Sequence, residues 1–368
     1  VRSSIVSVLA AVTSASVIAT PSVASADTYT RIVCGSAGYQ FFDAVAAFLP
    51  LSKYVTTTDD VGSEFVPSGA AATVVDYPWF FFEPGVLDRN ITVGAENLYA
   101  AVQATEGTIV VAGTSHGAAN VGRLQMLLES DPNAPSPDRL SLFRFNDPTF
   151  GATPVLFPDN FRIPFLGYVV SPSVESRYDT TIVAHEYDMW GDFPDRPWNL
   201  LALINSLAGA VFVHQLAAGV PEGLAPQSVT VNSLGATATS YLVPTDNLPI
   251  TEPLRIIGVP DSNVDRIDAA LRPIIDAGYS RHDEPEDTRP YLSHGQLTTS
   301  TQTTPAAAAG ADVSDAVEYE ALDEAPTVEV MDARPAAAPK VTGVRNSVPD
   351  DSPRSSGRDF RRGLRGAN

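Results

Sequence analysis

The chain runs to 368 residues, 44% of them hydrophobic and 18% charged, with a formal net charge of −20. That length and apolar content allow a sizeable core, in one large domain or two ordinary ones. The negative balance excludes a nucleic-acid partner, which needs a surplus of Lys and Arg, and electrostatic docking on an anionic membrane, so any lipid contact has to be apolar.

Arg2, the Ala/Val/Ser-rich stretch Ile5 to Ile18 and the small-residue site Ala24-Ser25-Ala26 read as an export signal over residues 1–26, with Asp27 as the first mature residue. The apolar stretch is too short and too diluted by Ser and Thr for a spanning helix, and no later run reaches the ~18 apolar residues a span needs. The expected setting is therefore secreted or cell-envelope associated. Cys34 is the only cysteine of the sequence, so an intramolecular disulfide is excluded.

Thr30 to Cys34 is β-prone and ends at Gly35-Ser36-Ala37-Gly38; Phe42, Val45, Ala46 and Leu49 then recur at helical spacing. Asp76 to Arg89 is aromatic and irregular, and its Tyr77 to Phe82 portion suits either an acyl groove or lid, or plain core. A helix is expected over Glu96 to Thr105, a buried strand over Thr108 to Ala112, and a helix over Ala118 to Glu129 with Val121, Leu124, Leu127 and Leu128 on its apolar face. Leu140 to Phe145 and Thr180 to Tyr187 read as further strands, Pro194 to Val213 as a helical stretch interrupted by Gly209. This alternation predicts an α/β fold, doubly wound around a mainly parallel sheet covered on both faces. Tyr241 to Pro290 reads as an appended region with a helix from Val264 to Ala277. One domain is thus expected over residues 27–294. From about Gly295, Thr/Ala/Pro runs, an acidic block and a basic end predict a disordered low-complexity tail over 295–368.

Gly113-Thr114-Ser115-His116-Gly117 matches G-x-S-x-G. Five residues with three fixed carry little weight alone, but here they sit between a β-branched strand and an amphipathic helix, as a nucleophile elbow requires. Side chains at the two glycines would clash with the neighbouring strand and helix. Ser115 is thus the candidate nucleophile, against the plainer reading of a glycine-rich βα turn. An oxyanion hole needs two backbone donors; the elbow offers the His116 N–H, and the loop after the first strand offers Ser36 or Ala37.

A serine nucleophile needs a base. Of five histidines, His116 adjoins the serine and should point away, and His185 lies inside a strand. His214 fits the chain order serine, acid, histidine. His282 and His294 fit that order too, but stand in a charged segment and beside the tail. The acid should follow a strand: Asp188 is preferred, Asp192 comes next, and Asp147 in Asn146-Asp147-Pro148 is third. Helix capping would account for Asp192 or Asp195 without catalysis. No His/Cys/Asp cluster has metal-ligand spacing, and no cofactor or metal is expected.

With these residues placed, Tyr187-Asp188-Met189-Trp190-Gly191-Asp192-Phe193-Pro194, Trp198-Asn199-Leu200-Leu201, and Asn205 to Gly209 up to His214 resemble the PE-PPE domain family of mycobacterial serine hydrolases. Pro244 to Pro249, Pro253-Leu254-Arg255 and Ala277-Gly278-Tyr279 with Arg281 extend the resemblance over about residues 30–285. It implies a cutinase-like α/β-hydrolase fold, a triad of Ser115, His214 and one of the two aspartates, and esterase or acyltransferase activity on envelope lipids. Forms with an export signal resemble acyltransferases that move fatty acyl chains between trehalose glycolipids. The expected partner is thus an acyl lipid or glycolipid, met by a monomer. The rival from another class is a non-catalytic lipid-binding protein on a hydrolase scaffold; a peptidase is the other enzyme reading.

Overall fold

Short runs of Val, Ile, Leu and Thr bounded by turn residues form the strands of a seven-stranded sheet in the computed structural model, which describes residues 28–37, 56–79, 85–171, 174–216, 219–284 and 286–299. The expected export signal, the helix proposed over Phe42 to Leu49, Phe80 to Phe82 and the tail beyond residue 299 lie outside the described residues.

In chain order the elements are β1 (Tyr29–Cys34), β2 (Ala71–Val74), α1 (Leu87–Gln103), β3 (Thr108–Thr114), α2 (His116–Ser130), β4 (Leu140–Phe145), α3 (Ala152–Leu156), β5 (Arg162–Ile163), β6 (Tyr168–Val169), β7 (Thr180–His185), α4 (Leu200–Phe212), β8 (Ser228–Val231), β9 (Thr237–Val243), α5 (Glu252–Ile256), α6 (Asp261–Asp276), β10 (Tyr291–Ser293) and β11 (Gln296–Thr298). The main sheet has the order β2-β1-β3-β4-β7-β9-β8, and every pair is parallel except β8 with β9. This is the mainly parallel sheet of an α/β fold.

Central strands covered on both faces are apolar along their length. Ile109 and Val111 of β3 face one way, with Ile32, Leu140 and Leu142, and are covered by Ala95, Leu98 and Val102 of α1 and Val121, Leu124 and Leu128 of α2. Val110 and Ala112 face the other way, with Val33, Phe143, Phe145 and Val183, and meet Val61, Phe65 and Val220. Phe65 stacks on Phe143 with ring centroids 4.0 Å apart. A third cluster of Tyr187, Ala202, Leu248, Ile275 and Tyr279 packs α4 and α6 at the end of β7.

The structure moves several expected boundaries. α1 begins nine residues before Glu96, because Ile91, Ala95, Leu98 and Val102 form one buried stripe. Gly94 sits inside that helix because α2 approaches closely: a Cβ there would lie 2.2 Å from the Asn120 side chain. The region from Tyr241 is not an appendage at its start, since β9 pairs with β7 along six residues, from Thr180↔Ala238 to His185↔Val243. The β10–β11 hairpin crosses residue 295, and the backbone N–H groups of His294 and Gly295 donate to Pro154 O and Val155 O. Among the described residues no helix is long and apolar enough to cross a membrane.

Candidate active site

Because β3, β4 and β7 are parallel, the segments that follow them emerge at one edge of the sheet, where ligands of open α/β sheets bind. After β3, Ser115 adopts φ 56° and ψ −121° before α2 begins. A residue with a Cβ held there stores of order 1–3 kcal/mol of strain, and the surroundings over-determine it. The Ser115 N–H donates to Phe145 O (2.9 Å), and the Ser115 carbonyl accepts from Ala118 (2.9 Å) and Ala119 (3.2 Å). The flanking glycines let the elbow seat: a Cβ at Gly113 would lie 2.3 Å from Gly117 O, and one at Gly117 2.0 Å from Cys34 O. The hydroxyl caps nothing in α2.

It meets His214 instead. This residue opens a 3-10 turn (His214–Leu216) directly behind α4, and its Nε2 lies 2.7 Å from Ser115 Oγ. On the other side of the ring, Nδ1 is 2.9 Å from Asp188 Oδ1 and 2.8 Å from Oδ2. An acceptor-only carboxylate at Nδ1 assigns the proton to that nitrogen and leaves Nε2 to accept from the hydroxyl. Asp188 is 0% exposed, and the N–H groups of Trp190 (3.2 Å) and Gly191 (3.0 Å) also donate to its carboxylate. The structure therefore brings Ser115, His214 and Asp188 into one hydrogen-bonded line, which can pass a hydroxyl proton to the imidazole as carbonyl attack proceeds.

β7 stops at His185, two residues short of the expected Tyr187. Asp188 consequently stands in a turn in which Tyr187 has φ 64°. Three features build that turn. Asp192 Oδ2 accepts from the Tyr187 N–H (2.8 Å), while its Oδ1 accepts from Arg281 Nη1 (2.7 Å). Gly191 leaves room for the Asp188 carboxylate: a Cβ there would lie 3.0 Å from its Oδ2. α4 approaches so closely that a Cβ on Gly209 would fall 1.9 Å from Tyr187 O.

Asp192 is thus engaged with Arg281, and burial pushes its carboxyl up to about 6. Neither it nor Asp195 caps α4; Asn199 does so, accepting from the Ala202 N–H, while Asp195 accepts from Ser280. Asp147 pairs with Arg144 at 2.6 Å. His282 lies 3.9 Å from Asp276, and His294 3.1 Å from Asp159. His116 packs edge-on to Tyr77 at 4.7 Å, and burial pushes its imidazole down to about 3.

The His116 N–H belongs to the first turn of α2, where backbone donors lack intrahelical acceptors. Ser36, buried, and Ala37 follow β1. Tyr77 Oη holds Gly35 O at 2.8 Å, and a Cβ on Gly117 would come within 2.6 Å of that same oxygen. The loop that carries Ser36 therefore lies against the first turn of α2.

One supporting residue was missed. Asn146, fully buried at φ 45°, donates from Nδ2 to His214 O (2.8 Å) and accepts at Oδ1 from the His185 N–H (3.0 Å). In Asn146-Asp147-Pro148 the aspartate alone was considered, as the third candidate acid; the one signal for its neighbour is an asparagine, a residue type enriched at positive φ, directly after a strand. Among the described residues no group of His, Cys, Asp and Glu is arranged to hold a metal ion.

The PE-PPE domain model matches residues 67–280, more than half of the chain and the stretch that carries Ser115, Asp188 and His214. The chain belongs to the PE-PPE domain family. It is 38% identical over 263 residues to the diacyltrehalose acyltransferase Chp2 of Mycobacterium tuberculosis, covering 64% of this chain and 73% of that protein. It is 37% identical over 229 residues to the SL1278 acyltransferase Chp1 of the same organism, covering 60% and 56% respectively. It is 36% identical over 218 residues to the esterase PE16, covering 55% and 40%. This PE-PPE chain thus spans about three quarters of the first relative and about half or less of the other two. All three relatives are named as acyltransferases or esterases.

Proposed function

We propose that this PE-PPE protein is a serine esterase or acyltransferase of cell-envelope acyl lipids. Ser115 acts as nucleophile, His214 as general base and Asp188 as the acid that orients the imidazole. The observation that carries the reading is the line from Ser115 Oγ to His214 Nε2 at 2.7 Å and from Nδ1 to the Asp188 carboxylate at 2.8 Å. His214 takes the hydroxyl proton as Ser115 attacks the ester carbonyl. The tetrahedral oxyanion is met by the His116 N–H and a backbone donor from Ser36 or Ala37. His214 then gives the proton to the departing alcohol, leaving an acyl-enzyme. Water or a lipid hydroxyl, deprotonated by His214, attacks that acyl group and regenerates Ser115. The names of the diacyltrehalose and SL1278 acyltransferases among the relatives favour a glycolipid hydroxyl as acceptor. The reading includes an export signal over residues 1–26.

The test is mass spectrometry of the purified protein after incubation with envelope lipid extract, alongside a Ser115→Ala variant. The expected result is a fatty acyl adduct on Ser115 that is absent from the variant and is discharged by added glycolipid acceptor. A variant that turns over p-nitrophenyl esters as fast as the parent would sink the assignment, since loss of triad function typically costs on the order of 10⁴ to 10⁶ in rate. A protein with no labelling by a fluorophosphonate would instead be a lipid-binding module.

A further inference from the structure

The two faces of α4 are reversed with respect to an ordinary surface helix, which turns its large apolar side chains inward. Ala202, Asn205, Ser206 and Gly209 are buried, while Leu200, Ile204, Leu207 and Val211 are 67%, 49%, 47% and 59% exposed. At 100° per residue the four exposed side chains fall in a single narrow stripe three turns long.

The small inner face is accounted for by the acid's turn: Gly209 meets Tyr187 O, and Asn205 Oδ1 accepts from the Ile250 N–H at 3.1 Å. Holding that turn makes no demand for Leu, Ile and Val on the opposite side. From Pro197 to Pro221 the sequence has no Asp, Glu, Lys or Arg. The stripe is thus an uncharged apolar strip on the helix that delivers His214 to Ser115.

We infer that this face of α4 docks the protein on an uncharged lipid surface, so that the helix carrying the base rests against the aggregate from which substrate is drawn. The purpose of the docking rests on the acyl-lipid reading of the site. Its four side chains present on the order of 400 Å², short of the roughly 800 Å² per partner that a stable protein interface buries. It is nonetheless a contiguous patch of the size that marks interaction sites on monomers. A second copy would bring a like net charge of −20, and like charge opposes association. An anionic bilayer is disfavoured for the same reason, whereas a neutral lipid surface asks only for apolar area.

The experiment is flotation of the full chain carrying Ser115→Ala, which prevents turnover, with phosphatidylcholine vesicles and with vesicles containing phosphatidylglycerol. The expected result is co-flotation with the neutral vesicles at least as strong as with the anionic ones. In an Ile204→Glu/Leu207→Glu variant the bound fraction should fall by about tenfold or more, as buried apolar area is replaced by charge. Both positions face solvent, so folding should survive, and in the Ser115 background the same pair should leave turnover of a soluble short-chain ester unchanged. Equal flotation of parent and variant, flotation that requires phosphatidylglycerol, or a dimer by light scattering that the pair dissociates would each overturn the inference. Flotation of a Ser115→Ala protein that still hydrolyses esters would support docking while overturning the triad.

Discussion

The side-chain amide of Asn146 donates to the backbone carbonyl of His214 across 2.8 Å. Through its other end it accepts from the His185 N–H, so the end of β4, the end of β7 and the turn bearing His214 are joined by one carboxamide. His214 is therefore positioned through its main chain, independently of the contacts of its ring. Asn146→Ala removes that restraint and leaves a buried N–H and a buried carbonyl without partners, which costs roughly 1–3 kcal/mol each. The expected outcome is a lower melting temperature and a fall in kcat of about 10- to 100-fold, with KM little changed, because misplacement of a catalytic group acts on the chemical step. Steady-state kinetics on a soluble ester beside a thermal melt checks both; unchanged kcat at a lowered melting temperature would make Asn146 a purely structural residue.

Asp188 and Asp192 separate by kind of effect. Asp188→Asn presents an amide to Nδ1 and favours the wrong imidazole tautomer, so kcat should drop by roughly 10³ to 10⁴ with little change in stability. Asp192→Asn leaves the Arg281 guanidinium without the partner now 2.7 Å away and should cost about 3 kcal/mol of stability, with a smaller kinetic effect. Measuring kcat and melting temperature for both variants decides between them. The larger kinetic loss falling on Asp192 would exchange their roles.

Gly209 gives a prediction whose sign opposes helix propensity. In an exposed helix interior, glycine to alanine stabilises by up to about 1 kcal/mol. Here the added methyl would fall 1.9 Å from Tyr187 O and push α4 away from the acid's turn. Gly209→Ala should therefore destabilise by about 1–3 kcal/mol and lower kcat, since the same helix carries His214. A denaturant melt showing a more stable variant would refute this packing account.

Acid pH should weaken the fold. Burial holds His185 at about 4 and His116 at about 3, against an ordinary 6.5. A base with a lowered folded pKa binds fewer protons folded than unfolded, so the stability it contributes is lost as pH falls from 6.5 through the folded value. Asp192 works the other way: burial raises it from 3.8 to about 6, so its contribution grows as pH falls across that range. Of these three groups the two histidines outweigh the one aspartate between pH 4 and 6, so their combined contribution to stability falls as pH drops. Melting temperature should decline steadily over that interval, and His185→Gln should flatten the slope. A melting temperature that rises on acidification would contradict the buried neutral histidines.

What the sequence by itself determined is what depends on neighbours along the chain. The β-branched run into Gly113-Thr114-Ser115-His116-Gly117 and the apolar stripe of α2 are local patterns, and they specified strand, elbow and helix to within a few residues. That Ser115 and His214 would stand together, with Asp188 preferred as the third member, was legible because chain order and strand ends narrow the choices. The tertiary structure decided the rest. The sequence left Asp188 and Asp192 both open; which one faces His214 depends on a turn closed by Arg281, far along the chain, and by the seating of Gly209 on Tyr187. The role of Asn146 needs β4, β7 and the His214 turn to be adjacent, which strand order alone provides. β9 was hidden for the same reason, since its place beside β7 is a long-range pairing that no local periodicity encodes. The reversal of α4 was hidden most deeply. A helix apolar on nearly every side has no legible inner face until the close approach of Gly209 to the acid's turn selects the small residues for burial and leaves Leu200, Ile204, Leu207 and Val211 to the outside.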